Sequence, residues 1–278
     1  MIKELRIGFI GAGNMATALI KGLIQSGICT PDQLQASDTD AEARKNISTG
    51  FGLTCHASNN DLVRECPVIV LSVKPQNMRE VLAAVKEDVR DDHLFISIAA
   101  GIPLSMIQTL LGKDIPLVRV MPNTPALIRK GASALARGKV AGPEHMATAM
   151  TIFSAVGETV EVEESMMDAV TALSGSGPGY VFRMMECMVD AGVALGLERQ
   201  VCVRLVMQTF SGAACLAMES DDSLSRLREM VTSPGGTTAE GLAVFDRMGL
   251  EEMTLKAVDA AYRRSVELGR VVGKPAGK

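Results

Sequence analysis

An α/β chain with a doubly wound sheet in its first half and helices alone in its second is what this sequence predicts. Three observations say so. Short apolar runs alternate with helical stretches as far as residue 162, the pattern of strands joined by crossover helices. Runs 5–10, 67–73 and 94–98 are apolar at consecutive positions, as strands covered on both faces must be. From residue 163 onward no strand-like alternation is found and only helical stretches follow.

In chain order the expected strands are 5–10, 33–37, 67–73, 94–98, 116–121 and 158–162, with helices near 13–26, 39–49, 59–65, 77–88 and 103–111 between them. The helical half reads as 164–173, 178–196, 199–218, 222–231 and 237–269, the last broken near Gly249. Segment 178–196 is apolar around most of its circumference, so it lies deep in a core or against another subunit. In a small all-helical half this favours a homodimer. Its methionines read as adaptable core filler rather than as cofactor ligands. The expected division is a sheet domain over 1–162, a helical domain over 163–270, and a tail over 271–278 that contains Gly273, Pro275 and Gly277 and is expected to fray.

Of the 278 residues 47% are apolar and 22% charged, enough to bury a core. The net charge of −4, with acids and bases interspersed, offers no basic face to a phosphate backbone and argues against nucleic acid. Residues 1–6 lack the apolar stretch of a targeting segment. No run is long or apolar enough to span a bilayer, so no membrane partner and a cytoplasmic location are expected. Cys29, Cys55, Cys66, Cys187, Cys202 and Cys215 form no CxxC pair and are expected to be reduced and mostly buried. His56, His93 and His145 are isolated, without metal-ligand spacing, and no bound metal is expected.

The first chemistry-bearing motif follows the first strand: Gly11-Ala12-Gly13-Asn14-Met15-Ala16, leading into a helix. Gly11 permits a tight turn, Gly13 a close approach to a pyrophosphate, and Ala16 close helix–strand packing, with the helix N-terminus offering unpaired N–H groups. Strand before, helix after and a position at the start of the βα repeat make this a dinucleotide site of Rossmann type rather than a plain turn. At the end of the second strand Asp38 is placed to hold a ribose 2′-OH, which would favour NAD. Alternatively, Ser37 and the following loop accept a 2′-phosphate, helped by Arg44 or Lys45. The pattern leaves both open. Three further turns, Val73-Lys74-Pro75-Gln76, Ala99-Ala100-Gly101 and Met121-Pro122-Asn123-Thr124-Pro125, lie at carboxyl ends of strands, where ligands bind in open α/β sheets.

Two segments of the helical half stand out. Ser174-Gly175-Ser176-Gly177-Pro178-Gly179 precedes the apolar helix, and Thr232-Ser233-Pro234-Gly235-Gly236-Thr237-Thr238 opens another. N–H groups at 236–238 would form a nest for a carboxylate, with the Thr238 hydroxyl beside it. Spacing alone supports equally an ordinary helix start capped by Thr237 or Thr238.

These motifs, in order, resemble the pyrroline-5-carboxylate reductase family over essentially the whole chain, to about residue 269. They are GAGNMA (11–16), VKPQ (73–76), SIAAG (97–101), MPNTPA (121–126), LSGSGPGY (173–180) and VTSPGGTTAEGL (231–242). The last is the specific one. Gly179 stands where the family usually has alanine, and Pro67 where an acidic residue often precedes the third apolar run. The resemblance implies a Rossmann domain and an all-α dimerisation domain, dimers that often assemble into decamers, NADPH as the usual donor with NADH sometimes accepted, and reduction of Δ1-pyrroline-5-carboxylate to L-proline, the last step of proline biosynthesis. It implies that Gly11, Gly13, Asn14 and Met15 hold the pyrophosphate, that Ser37 lies near the adenosine ribose, and that Asn59, Lys74 and Pro75 line the cofactor. Val73, Ala99, Ala100 and Asn123, on the strand-end turns, complete the expected cofactor contacts. Ser233, Gly235, Gly236, Thr237 and Thr238 are expected to hold the substrate, with Thr238 at the ring nitrogen as the catalytic contact. Alternatives are a reductase of another small imine, or a 2-hydroxy acid dehydrogenase, either sharing the nucleotide half without the SPGGTT segment, and a dinucleotide-binding regulatory protein without turnover.

Overall fold

The computed structural model describes residues 5–273. An eight-stranded sheet of order β3-β2-β1-β4-β5-β6-β7-β8 forms its centre. The strands are β1 (Ile7–Ile10), β2 (Leu34–Ser37), β3 (Thr54–His56), β4 (Val68–Leu71), β5 (Leu94–Ser97), β6 (Leu117–Met121), β7 (Gly131–Arg137) and β8 (Gly157–Glu161). β1 to β6 run parallel, while β7 pairs antiparallel with β6 and parallel with β8. The short chain between Met121 and Gly131 explains the reversal, because a parallel partner needs a crossover of a dozen or more residues.

The sheet is covered on both faces. Ile7, Phe9, Val68, Val70 and Ile96 pack with α1 (Asn14–Gln25) and α6 (Pro143–Ser154) in one core. Ile10, Ile69, Leu71 and Phe95 pack with α3 (Asn59–Glu65), α4 (Met78–Val85) and α5 (Leu104–Leu111) in the other. The alternation of Phe9 and Ile10 between the two cores is the period-two signature of a strand. In α1 the buried Ala16, Leu19, Ile20 and Leu23 recur at helical spacing on one stripe. α2 (Ala41–Phe51) begins where the Asp40 carboxylate accepts the Glu42 N–H and ends at Gly52 in the left-handed region.

All six expected strands are present, the first five with trimmed ends and the last shifted back by one residue. β3, β7 and α6 were not expected. β7 is rich in alanine, a poor strand former, and owes its conformation to pairing on both sides. Stretch 164–173 is a 3-10 turn, α7 (Met167–Val170) and a π turn over Thr171–Gly175. The remaining helices are α8 (Gly177–Ala194), α9 (Arg199–Glu219), α10 (Leu224–Met230), α11 (Thr237–Arg247) and α12 (Leu250–Gly273). The expected break between the last two falls at Gly249, φ +74°. Of the tail expected to fray, 271–273 continue α12, and 274–278 lie outside the described residues.

By contacts the chain forms two compact units. One ends at Ser176 and resumes at Ala261; the other is Gly177–Ala260. The second unit has a small core of its own, Val189, Cys202 and Val206. Phe182, Leu205, Met207 and Leu216 are all more than half exposed on α8 and α9. α9 is long and apolar enough to cross a bilayer by length and composition, with a mean hydropathy of 1.5. This corrects the expectation that no such segment exists. From Val201 to Met218 only Arg204 is charged, and polar Gln208, Thr209 and Ser211 break the run without lowering its mean far. Of the cysteines, none disulfide-bonded, Cys29, Cys66 and Cys202 are buried and Cys55 half-buried, whereas Cys187 and Cys215 are exposed on α8 and α9. Burial pushes the Cys29 thiol up to about 11 and Cys66 to about 12, so both stay protonated and inert.

Candidate active site

The sheet order reverses direction between β1 and β4, and the carboxyl ends of those two strands flank the switch point where open α/β sheets bind ligands. The glycine turn lies there. Gly11 has φ +99°, and a Cβ on it would meet the Ser72 carbonyl at 2.8 Å and Val73 Cγ1 at 3.1 Å. Glycine is therefore required by conformation and by space. The Gly11 N–H donates to the Ser37 carbonyl at 2.8 Å, and the Ser72 hydroxyl reaches the Ile10 and Gly11 carbonyls at 2.9 and 2.8 Å.

Gly13 presents the opposite case. It is the N-cap of α1, with ordinary backbone angles and no side-chain cap. A Cβ there would meet no protein atom within 4 Å. Nothing in the chain calls for a glycine, and the open space lies at a helix N-terminus, where a phosphate is favoured. This fits a dinucleotide pyrophosphate beside Gly13, Asn14 and Met15.

At the end of β2, buried Ser37 donates its hydroxyl to Asn59 Oδ1 at 2.8 Å. The bond joins the β2 end to the start of α3. Asp38, for its part, has partners within the chain. Its Oδ2 accepts the Ala12 N–H at 2.8 Å and its Oδ1 the Asp40 N–H at 2.9 Å. The carboxylate thereby holds the glycine turn to the β2 end. Arg44 Nη1 donates to the Asp38 and Thr39 carbonyls at 2.8 and 3.0 Å, which sets a guanidinium beside the same strand end.

After β4, Val73 is half-buried and Lys74 exposed. Lys74 precedes a 3-10 turn, Pro75–Asn77, and its carbonyl accepts the Asn77 N–H at 3.0 Å. After β5, Ala99 is buried and Ala100 exposed. Asn123, after β6, has its side chain committed within the protein. Its Oδ1 accepts the Ala132 N–H at 2.9 Å and its Nδ2 donates to the Ser174 carbonyl at 3.1 Å. Residue 178, four beyond Ser174, is proline and has no N–H to give. Asn123 thus supplies the missing donor to the π turn.

Ser233–Thr238 belong to the other unit. Gly235 has φ +70°. A Cβ on Gly236 would meet the rotatable Ser233 Oγ at 2.4 Å and the Ser233 carbonyl oxygen at 3.0 Å, so the turn requires glycine at 235 by conformation and is crowded at 236. Gly236 is the N-cap of α11, without a side-chain cap, so neither Thr237 nor Thr238 caps the helix. The expected nest at 236–238 is shifted, because the Gly236 N–H already donates to the Ser233 carbonyl at 3.0 Å. The donors without an intrahelical acceptor are those of Thr237, Thr238 and Ala239. Thr237 and Thr238 are exposed.

The histidines serve the fold. His56 Nε2 meets Gln35 Oε1 at 2.8 Å, His145 Nδ1 accepts the Gly142 N–H at 2.9 Å, and His93 is fully buried.

A glycine turn at the switch point of a Rossmann sheet, with an α1 N-terminus open to phosphate, defines a dinucleotide-binding protein. Residues 6–101 match the family described as NADP oxidoreductase, coenzyme F420-dependent, and residues 164–268 match pyrroline-5-carboxylate reductase dimerisation. The chain belongs to the pyrroline-5-carboxylate reductase family. It is 43% identical to the pyrroline-5-carboxylate reductase of Methanosarcina acetivorans over 97% of this chain and 100% of that one. To that of Pseudomonas aeruginosa it is 44% identical over 97% and 98%. Among solved structures, the Coxiella burnetii pyrroline-5-carboxylate reductase is similar with a TM-score of 0.92 at 35% identity, covering 95% of this chain and 98% of that one. The Plasmodium falciparum pyrroline carboxylate reductase with NADP bound gives 0.85 at 32%, covering 96% and 99%.

Proposed function

We infer that the protein reduces the ring C=N bond of Δ1-pyrroline-5-carboxylate with NADPH, producing L-proline as the last step of proline biosynthesis. The observation that carries the reading is the 233–238 turn: a left-handed Gly235 and a crowded Gly236 open α11 with unpaired N–H groups and hydroxyls, in a chain that also carries the glycine turn of a dinucleotide site.

The dihydronicotinamide supplies the hydride; the protein binds and orients. Gly11, Gly13, Asn14 and Met15 hold the pyrophosphate at the α1 N-terminus, Ser37 lies near the adenosine ribose, and Asn59, Val73, Lys74, Pro75, Ala99, Ala100 and Asn123 line the remainder. The Asp38 carboxylate already accepts two N–H groups, and Arg44 stands at the β2 end to meet a 2′-phosphate. That supports NADPH over NADH. The substrate carboxylate is held by the amides of Thr237, Thr238 and Ala239, with Ser233, Gly235 and Gly236 shaping the turn. A protonated imine is the better hydride acceptor. The Thr238 hydroxyl accepts its N–H and so fixes the orientation of the ring. The proton comes from solvent, since a neutral hydroxyl is a poor acid. Much of the acceleration then comes from positioning.

We also propose a homodimer, built further into a decamer, in the cytoplasm. The exposed apolar faces of α8 and α9 support a second copy as their cover in place of a bilayer. The test is loss of NADPH absorbance on adding Δ1-pyrroline-5-carboxylate, run beside NADH. Cofactor binding without oxidation would favour a regulatory protein and overturn the reading.

A further inference from the structure

We propose that the last turns of α12 position the turn after β5 in the dinucleotide crevice, through Gly269 and Ser265. The inference rests on the reading of the strand-end turns as that crevice.

Ala261, Ser265 and Gly269 recur every four residues and so share one face of α12. All three are small, which lets the helix backbone come close to its support. Ser265 is buried between the exposed Arg264 and Glu267. Its hydroxyl donates to Asp168 Oδ1 at 2.6 Å, a short bond to a charged acceptor of the stronger kind. One turn on, Gly269 meets Gly101 backbone to backbone. A Cβ on Gly269 would stand 3.2 Å from the Gly101 carbonyl oxygen, and one on Gly101 3.4 Å from the Gly269 nitrogen.

Gly101 closes the turn Ala99-Ala100-Gly101 in the left-handed region, φ +72°. The backbone bond that closes the turn is a long one, Ile102 N–H to the Ala99 carbonyl at 3.4 Å. Packing from α12 therefore supports a segment that holds itself weakly. Asp168 lies in α7, directly before the π turn whose Ser174 carbonyl is held by Asn123. One helix end thus reaches the β5 turn directly and the β6 turn through α7. Gly269 and Ser265 act through Gly101 and Asp168 as positioning residues.

The experiment is NADPH titration by nucleotide fluorescence, with steady-state kinetics and circular dichroism on the same full-length proteins. Gly269→Ala should weaken NADPH about fivefold and Ser265→Ala about threefold, since small displacements at a distance from the chemistry cost less than the hundredfold of a full ångström. Asp168→Asn keeps an accepting Oδ1 and should bind within about twofold of wild type. KM for NADPH should rise in step, with KM for the imine unmoved. Wild-type NADPH affinity in a folded Gly269→Ala protein overturns the inference. So does a lowered melting temperature with both affinities intact, which would mark a merely structural contact. If Gly269→Ala does not fold, Ser265→Ala set against Asp168→Asn decides by the same criteria. Failure of the wild type itself to bind NADPH would overturn the crevice reading, and the inference with it.

Discussion

Asp38 accepts the backbone N–H of Ala12 across 2.8 Å, tying the glycine turn to the end of the second strand. In a dinucleotide site an acid at this place commonly selects a ribose 2′-OH. Here the same carboxylate fixes the turn that meets the pyrophosphate. The two roles predict different behaviour. Asp38→Ala should weaken NADPH and NADH alike, by about tenfold, the loss of one charge-assisted hydrogen bond. Binding titrations with both cofactors check this. Weakened NADH with improved NADPH would show that the carboxylate acts on the ribose instead.

Gly11 and Gly13 separate stability from binding. Gly11→Ala places a Cβ against the Ser72 carbonyl at a left-handed φ and should cost about 2 kcal/mol of stability. Gly13→Ala meets no protein atom and should leave the urea midpoint unchanged or slightly raised. Its NADPH affinity should nonetheless fall at least about tenfold, because the methyl enters the space assigned to phosphate. Equal affinity would remove that assignment.

Thr238→Ala probes the substrate turn. The hydroxyl is exposed and is not the α11 cap, so the melting temperature should hold. The kcat/KM for the imine should drop at least about tenfold, roughly 1.4 kcal/mol in the barrier. A change within about twofold, ~0.4 kcal/mol, would refute the contact.

His93 makes the fold acid-sensitive. It is fully buried, edge-on to Phe95, with its Nδ1 accepting the Arg90 N–H. Burial first, and then the Arg90 charge, push its pKa from 6.5 down to about 4. The unfolded chain therefore binds a proton that the folded one refuses, and stability falls as pH drops from 6.5 toward 4. Above 6.5 the contribution is fully present. His93→Gln should flatten the acid limb by up to one proton, ~1.4 kcal/mol per pH unit. Denaturant midpoints across that range measure it; parallel limbs for both proteins would disprove it.

How far the sequence reaches is visible at particular residues. Gly11 and Gly235 were legible because each holds a left-handed φ that other residue types rarely adopt. The helix break at Gly249 was legible for the same reason. β7 was not, since Gly131–Arg137 has a helix former's composition and becomes a strand only between β6 and β8. The commitments of Asp38 and Asn123 were hidden too. Their partners, Ala12 and Ser174, lie 26 and 51 residues away, and spacing along the chain says nothing about who accepts a hydrogen bond across such distances. The same holds for Gly236, whose N–H is spent on a carbonyl three residues back.

From its residues alone, this chain determined the βα alternation, the switch to helices, the glycine turns and the family they belong to, because periodicity and glycine conformation are local properties. The tertiary structure decided which polar atoms remain for ligands, the reversal of β7, and the packing of Gly269 on Gly101. Those depend on which distant backbone groups arrive first at each donor and acceptor, and a buried polar group takes its partner wherever the fold brings one.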